Sequence, residues 1–253
     1  MSTFSVADHL IAAVAAAGAG AVNAIAGGGT LISFPTLVAL GATKVGANVT
    51  NTVALCPGYF GGAVAQRSQL PGQRARLIRL SIAAALGGLT GSVLLLTTGE
   101  AAFTALVPWM ILMACALLGG QNYIRKWLRI GTRSHGAPSA VAVLSTFAVS
   151  IYGGYFGAGL GIALLAVLGL VIDETLPRLN ALKQVLALVI NLVAACFFAT
   201  SGEVIWSLVL VMAPASLLGG VAGGKLVTRI KPSELRGAVV TYGTVLALYY
   251  LLR

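Results

Sequence analysis

The chain has 253 residues, of which 58% are hydrophobic and 9% charged; its formal net charge is +10 and its mean hydropathy +0.96. Soluble domains carry about 25% charged residues, so a water-soluble fold of this size is excluded. The net positive charge does not point to nucleic acid, and no nucleic-acid partner is expected: the basic residues stand in loops at the ends of apolar segments, the pattern of cytoplasmic loops in membrane proteins.

In chain order, apolar segments are predicted at 8–25, 29–41, 46–66, 77–97 and 101–120. After a basic linker at 121–137 they resume at 138–158, 160–172, 178–199, 204–228 and 235–252. Segments of about 20 residues match a hydrocarbon core of ~30 Å. Their Leu/Ala/Val-rich composition does not alternate, which fits helices and not barrel strands. The expected fold is an all-α integral membrane protein with broken Gly-rich helices and eight to ten crossings. The count is open because 29–41 and 160–172 reach only about 20 Å at 1.5 Å per residue. Each is either a tilted crossing or half of a hairpin within the membrane. Residues 1–7 carry no basic residue ahead of the first apolar run, so a cleavable signal peptide is not expected.

The two halves repeat. Ala26-Gly27-Gly28-Gly29 recurs as Ala158-Gly159-Leu160-Gly161, Asn48 recurs as Asn180, and Leu86-Gly87-Gly88 with Gly91 recurs as Leu218-Gly219-Gly220 with Gly223, all at an offset of 132 without a gap. The flanking charges differ: 67–79 carries four arginines, and its counterpart 199–211 carries only Glu203. Placing basic loops in the cytoplasm puts 67–76, 121–137 and 229–236 inside and the loops near Glu100 and Glu203 outside. Segment 77–97 then runs outward and its partner 204–228 inward. The expectation is a first repeat over 1–120, a cytoplasmic linker over 121–137 and an inverted second repeat over 138–253. Such inverted repeats mark secondary transporters.

Gly27, Gly28, Gly29 and Thr30 interrupt an apolar region, with Pro35 following. Glycines cost a helix roughly 1 kcal/mol each relative to Ala, and a break at membrane depth must line a polar cavity or pack on protein. Thr30 is a candidate cap for the next half-helix, whose N–H groups would suit an anion. Gly153, Gly154, Gly157, Gly159 and Gly161 form the matching cluster. The competing reading for both clusters is close helix packing. Pro57-Gly58 is a kink candidate.

Asn48, Asn51 and Thr52 share one face of 46–66; Asn180, Lys183, Gln184 and Asn191 share a comparable face of 178–199. Amides and an ammonium are donors that together suit a small anionic substrate. Lys183 is the sharpest candidate, and its competing reading is a lysine snorkelling to the interface. Lys225, Arg229 and Trp127 read as interface residues. The six acidic residues, Asp8, Glu100, Asp173, Glu174, Glu203 and Glu234, stand at segment ends or in loops, as do His9 and His135. Neither a metal site, a cofactor nor a hydrolytic centre is expected. Any coupling proton or sodium ion would use Lys183, the substrate's own protonation or neutral oxygen ligands. Cys56, Cys115 and Cys196 lack metal or redox spacing.

The run Asn23-Ala24-Ile25-Ala26-Gly27-Gly28-Gly29-Thr30-Leu31-Ile32-Ser33-Phe34-Pro35, followed by Ala47-Asn48-Val49-Thr50-Asn51-Thr52, resembles the sulfite exporter TauE/SafE family. Gly157-Ala158-Gly159-Leu160-Gly161 and Leu179-Asn180-Ala181-Leu182-Lys183-Gln184 resemble that family's second repeat, and the likeness extends over about residues 8–252. The resemblance implies an inner-membrane transporter for sulfite, sulfonates such as sulfoacetate, or a related organosulfur anion. It also implies that the matching Gly, Asn and Lys positions matter. The expected function is alternating-access transport of such an anion through the lipid bilayer. The alternatives are an anion channel on the same scaffold and a carrier of another small carboxylate. The charge bias places both termini outside: reporter tags fused at residue 1 and residue 253 should both label as extracytoplasmic, and a cytoplasmic signal from either would overturn the orientation.

Overall fold

A computed structural model describes residues 4–25, 27–120, 123, 140–226 and 232–252. Ala26, Trp127, Arg229, Lys231 and, apart from Tyr123, the linker 121–137 lie outside the described residues, as do the side chains of Lys225, Glu234 and Arg236. Among the described residues every regular element is a helix and none is a strand. The elements are α1 (Val6–Ile25), α2 (Thr30–Ala39), α3 (Lys44–Ala65), a 3-10 turn (Arg67–Gln69), α4 (Arg74–Gly119), α5 (Ala140–Tyr155), α6 (Leu160–Val171), α7 (Leu176–Phe198), α8 (Trp206–Leu226) and α9 (Pro232–Leu251). Of these, α1, α4, α7 and α8 are long and apolar enough to cross a membrane. The 46 residues of α4 hold two such lengths, divided at Gly99 by non-helical dihedrals (φ 71°, ψ −177°) that glycine adopts without penalty.

That break has a second role. Glu100, just past it, accepts hydrogen bonds from the backbone N–H groups of Lys44 (2.7 Å) and Val45 (2.9 Å), while Thr43 Oγ1 accepts from Gly46 N–H (3.0 Å). Three of the four orphan donors at the start of α3 are thereby met, and the carboxylate faces the positive end of the helix. Glu100 is a structural cap.

The repeat is visible in the helix boundaries. Lys44 and Leu176, Arg74 and Trp206, Ala39 and Val171, and Gly119 and Leu251 are equivalent termini separated by 132 positions. The gapless offset fails at the helix breaks. There α1 and α5 end at Ile25 and Tyr155, and α2 and α6 start at Thr30 and Leu160, an offset of 130. The longer α6, 12 residues against 10 in α2, restores the register. At 1.5 Å per residue, α2 and α6 reach about 15 and 18 Å, well short of a ~30 Å core.

The halves interlock. Helix α1 lies along α8 and α4 along α5; α3 packs on α8 and α7 on α4; α3 and α7 face each other. The repeated glycines form these seams: Gly219 and Gly223 meet the backbone of Ala17 and Ala21, and Gly91 meets that of Ile151. Gly154 meets the backbone of Gly88. For these residues the close-packing reading holds.

Polar groups collect at the two ends. At one end Glu174 pairs with Arg76 (3.1 Å) and Arg178 (2.8 Å), and Arg178 also donates to the Pro71 carbonyl (3.1 Å). At the other end Ile205 N–H donates to Thr50 Oγ1 (2.9 Å), and a cleft of about 730 Å³ is lined by residues including His9, Thr43, Gly46, Glu203 and Trp206. The arginine-rich loop and the loops of Glu100 and Glu203 thus occupy opposite ends. A methyl group at Gly91 or Gly219 would collide with the neighbouring backbone, whereas none stands within 4 Å at Gly18. Gly91→Ala and Gly219→Ala should each cost about 1–3 kcal/mol, read as a lower melting temperature in detergent. Gly18→Ala should be neutral or stabilising by up to about 1 kcal/mol.

Candidate functional site

The first helix break is built by the sequence after α1. Gly27 takes φ +84° and donates its N–H to the Val22 carbonyl (3.0 Å). Asn23, 8% exposed, accepts from the Gly29 N–H through Oδ1 (2.8 Å). This corrects two expectations. Gly29, not Thr30, holds the N-cap position of α2; Thr30 is the first helical residue, and the capping oxygen comes from Asn23. The Gly29 N–H is therefore already committed. The Tyr59 hydroxyl of α3 sits beside Thr30 and Asn23, and a side chain on Gly28 would meet Leu118 of α4.

The second break repeats the Gly27 turn two residues earlier than the offset of 132 implies, with a left-handed cap in place of the right-handed Gly29. Gly157 takes φ +74° and donates to the carbonyl of Tyr152, five residues back (3.2 Å). Gly159, at φ +71°, is the N-cap of α6. The Tyr152 hydroxyl donates to the Ala158 carbonyl. Gly27 thus corresponds to Gly157, and Gly29 to Gly159.

The two breaks meet. A methyl group on Gly161 would stand 3.4 Å from Gly27 Cα and 3.6 Å from Lys183 Nζ. Lys183 is 6% exposed, two turns into α7, so its ammonium does not reach out along the surface as a snorkelling lysine would. Gln184, 3% exposed, presses its amide against Gly62 of α3, where there is no room for a side chain. Gly27, Gly161 and Lys183 thus meet where the two breaks cross, Asn23, Thr30 and Tyr59 stand at the first break, and Gln184 lies against α3.

The remaining residues do not join it. Asn180 donates from Nδ2 to Gln66 Oε1 (2.6 Å), and Asn191 donates to the Ala187 carbonyl of its own helix (2.8 Å). Asn48 donates from Nδ2 to the Tyr155 carbonyl at the end of α5 (2.9 Å), and Thr52 donates to the Asn48 carbonyl (2.9 Å). Asn48 and Gln66 lie eighteen positions apart in sequence, roughly 27 Å along a helix. Asn48 and Asn180 are accordingly at opposite ends of α3, and the single ring of Asn48, Asn51, Asn180 and Lys183 around one anion does not form. One N–H of each of the Asn48 and Asn180 amides is taken by a protein acceptor. Asn23, Tyr59, Tyr152 and Gln66 were not singled out from the sequence. Asn23 carried a signal, a lone amide in an apolar run four residues before three glycines.

The Lys183 side chain is thus buried where the two broken helices meet. The model of the family described as Sulfite exporter TauE/SafE matches residues 11–250. The chain belongs to the sulfite exporter TauE/SafE family. It is 27% identical over 231 residues to a "Probable membrane transporter protein" of Haemophilus influenzae, covering 87% of this chain and 85% of that protein. It is 25% identical over 238 residues to the "Probable membrane transporter protein YfcA" of Escherichia coli K12, covering 90% and 84%. No solved structure matches significantly. Its relatives and its apolar helices make this TauE/SafE protein a multi-pass membrane protein of a transporter family.

In this TauE/SafE chain Asn23→Ala should leave the Gly29 N–H without its acceptor, at a cost of about 1–3 kcal/mol. Asn191, bonded to its own helix, should tolerate Leu within about 1 kcal/mol. Paired melting curves in detergent check both.

Proposed function

We propose that this protein is a secondary carrier that moves a small organosulfur or sulfur oxyanion, such as sulfite, sulfoacetate or a similar sulfonate, across the inner membrane by alternating access. The observation that carries the reading is the Lys183 ammonium, buried beside Gly161 where the second break packs on Gly27. An ionisable group at membrane depth is costly and marks a substrate or ion pathway. An oxyanion offsets that cost with a charge-assisted hydrogen bond. The first turn of α6 adds the partial positive charge of a helix N-terminus.

Alternating access needs two bodies that move about a fixed site. These are the repeats 1–120 and 138–253, which meet at glycine seams. The positive-inside bias orients them oppositely, with 67–76 and 121–137 on the cytoplasmic side. The family name supports a sulfur oxyanion over another small carboxylate.

Purified protein in liposomes should exchange labelled sulfite or sulfoacetate saturably. Lys183→Gln removes the charge and should weaken half-saturation by about 10–100-fold, the worth of one charge-assisted hydrogen bond. Unchanged half-saturation in that variant would take lysine out of the site, and single-channel currents in place of slow saturable exchange would identify a channel.

A further inference from the structure

Among the described residues, two buried amide oxygens have no donor. Asn48 and Asn51 are each 1% exposed, and the Oδ1 of each is buried with no hydrogen-bond partner. A buried amide oxygen without a donor costs about 1–3 kcal/mol, and here two occur one turn apart on the same face of α3. The Asn48 amide cannot turn over to relieve this. Its Nδ2 donates to the Tyr155 carbonyl (2.9 Å), and reversal would set oxygen against oxygen. The neighbouring Thr52 hydroxyl is committed to the Asn48 carbonyl (2.9 Å). Tyr155 is the last residue of α5, so the Asn48 amide stands at the carbonyl end of a broken helix, which carries partial negative charge.

The repeat explains what belongs there. Helices α3 and α7 start at equivalent positions, so Asn51 in α3 corresponds to Lys183 in α7. One half of the protein carries its cation covalently; the other half presents neutral oxygens at the equivalent place. We propose that Asn48 Oδ1 and Asn51 Oδ1 are ligands of a monovalent cation of sodium size, bound at the carbonyl end of α5 and distinct from the Lys183 centre. Neutral amide oxygens suit a hard cation, and broken-helix carbonyl ends hold sodium in transporter folds. The absence of a charged ligand in the pair favours a single over a double charge. That the ion drives transport rests on the carrier reading above; that it binds does not.

The test uses the purified full chain in detergent without any oxyanion, so it is independent of transport. Melting temperature is followed while sodium chloride, potassium chloride or choline chloride is added at constant ionic strength. Sodium should raise the melting temperature saturably, by roughly 3 °C or more per tenfold step beyond half-saturation, and choline should not. Asn51→Lys installs the ammonium of the other half and should abolish the sodium shift. Asn51→Asp keeps an oxygen, adds a charge and should lower the half-saturating sodium concentration. A wild-type curve indifferent to the cation overturns the site, as does a full sodium shift retained in Asn51→Lys. Should neither variant fold, the wild-type comparison of the three salts decides alone.

Discussion

A backbone polar group in hydrocarbon has no water to turn to, and the interior of this protein is arranged around that fact. Two helix breaks expose N–H and carbonyl groups far from either end, and each is answered from within the chain. At the first, Asn23 takes the Gly29 N–H and the Val22 carbonyl takes that of Gly27. At the second, Tyr152 supplies both its hydroxyl to the Ala158 carbonyl and its own carbonyl to the Gly157 N–H. Helix α4 backs both, with Leu118 against Gly28 and Ala114 against Gly159. Because local groups meet these local needs, each break is held in place.

The same constraint separates the two kinds of glycine. Those at 87, 88, 91, 154, 219 and 223 let helices approach until backbone touches backbone, where apolar side chains would gain nothing over lipid tails. Those at 27, 157 and 159 take left-handed dihedrals that end one helix and start another. Gly161 belongs to neither group by conformation: it is helical, and its missing side chain leaves room for Gly27 and Lys183.

Chemically the repeats have diverged. Lys183 and Asn51 hold equivalent positions, yet one ends in an amine and the other in an amide whose oxygen lacks a donor. The caps differ as well. Helix α3 starts on the Glu100 carboxylate and Thr43, whereas α7 has Pro177 as its second residue, which lacks one of the donors that a cap would otherwise serve. A nearly symmetric scaffold thus carries different polar groups at equivalent positions.

Composition and spacing alone determined the class of protein and its helices. The charge count excluded a soluble fold, and the apolar segments anticipated every described helix to within a few residues, including the division of α4 near Gly99. Loop charge sorted 67–76 from Glu100 and Glu203, which the structure places at opposite ends. The glycine runs announced the breaks because only glycine tolerates those dihedrals. Tertiary structure decided what the polar residues do. Sequence marked Asn48, Asn51, Asn180 and Lys183 as donors on matching faces, but whether a donor is free depends on which acceptor another helix brings to it. Tyr155 took the Asn48 amide and Gln66 that of Asn180, residues 107 and 114 positions away in sequence. The two-residue slip at the breaks was invisible for a related reason: a gapless match counts residue types, whereas the position of a helix end is set by which backbone groups find partners.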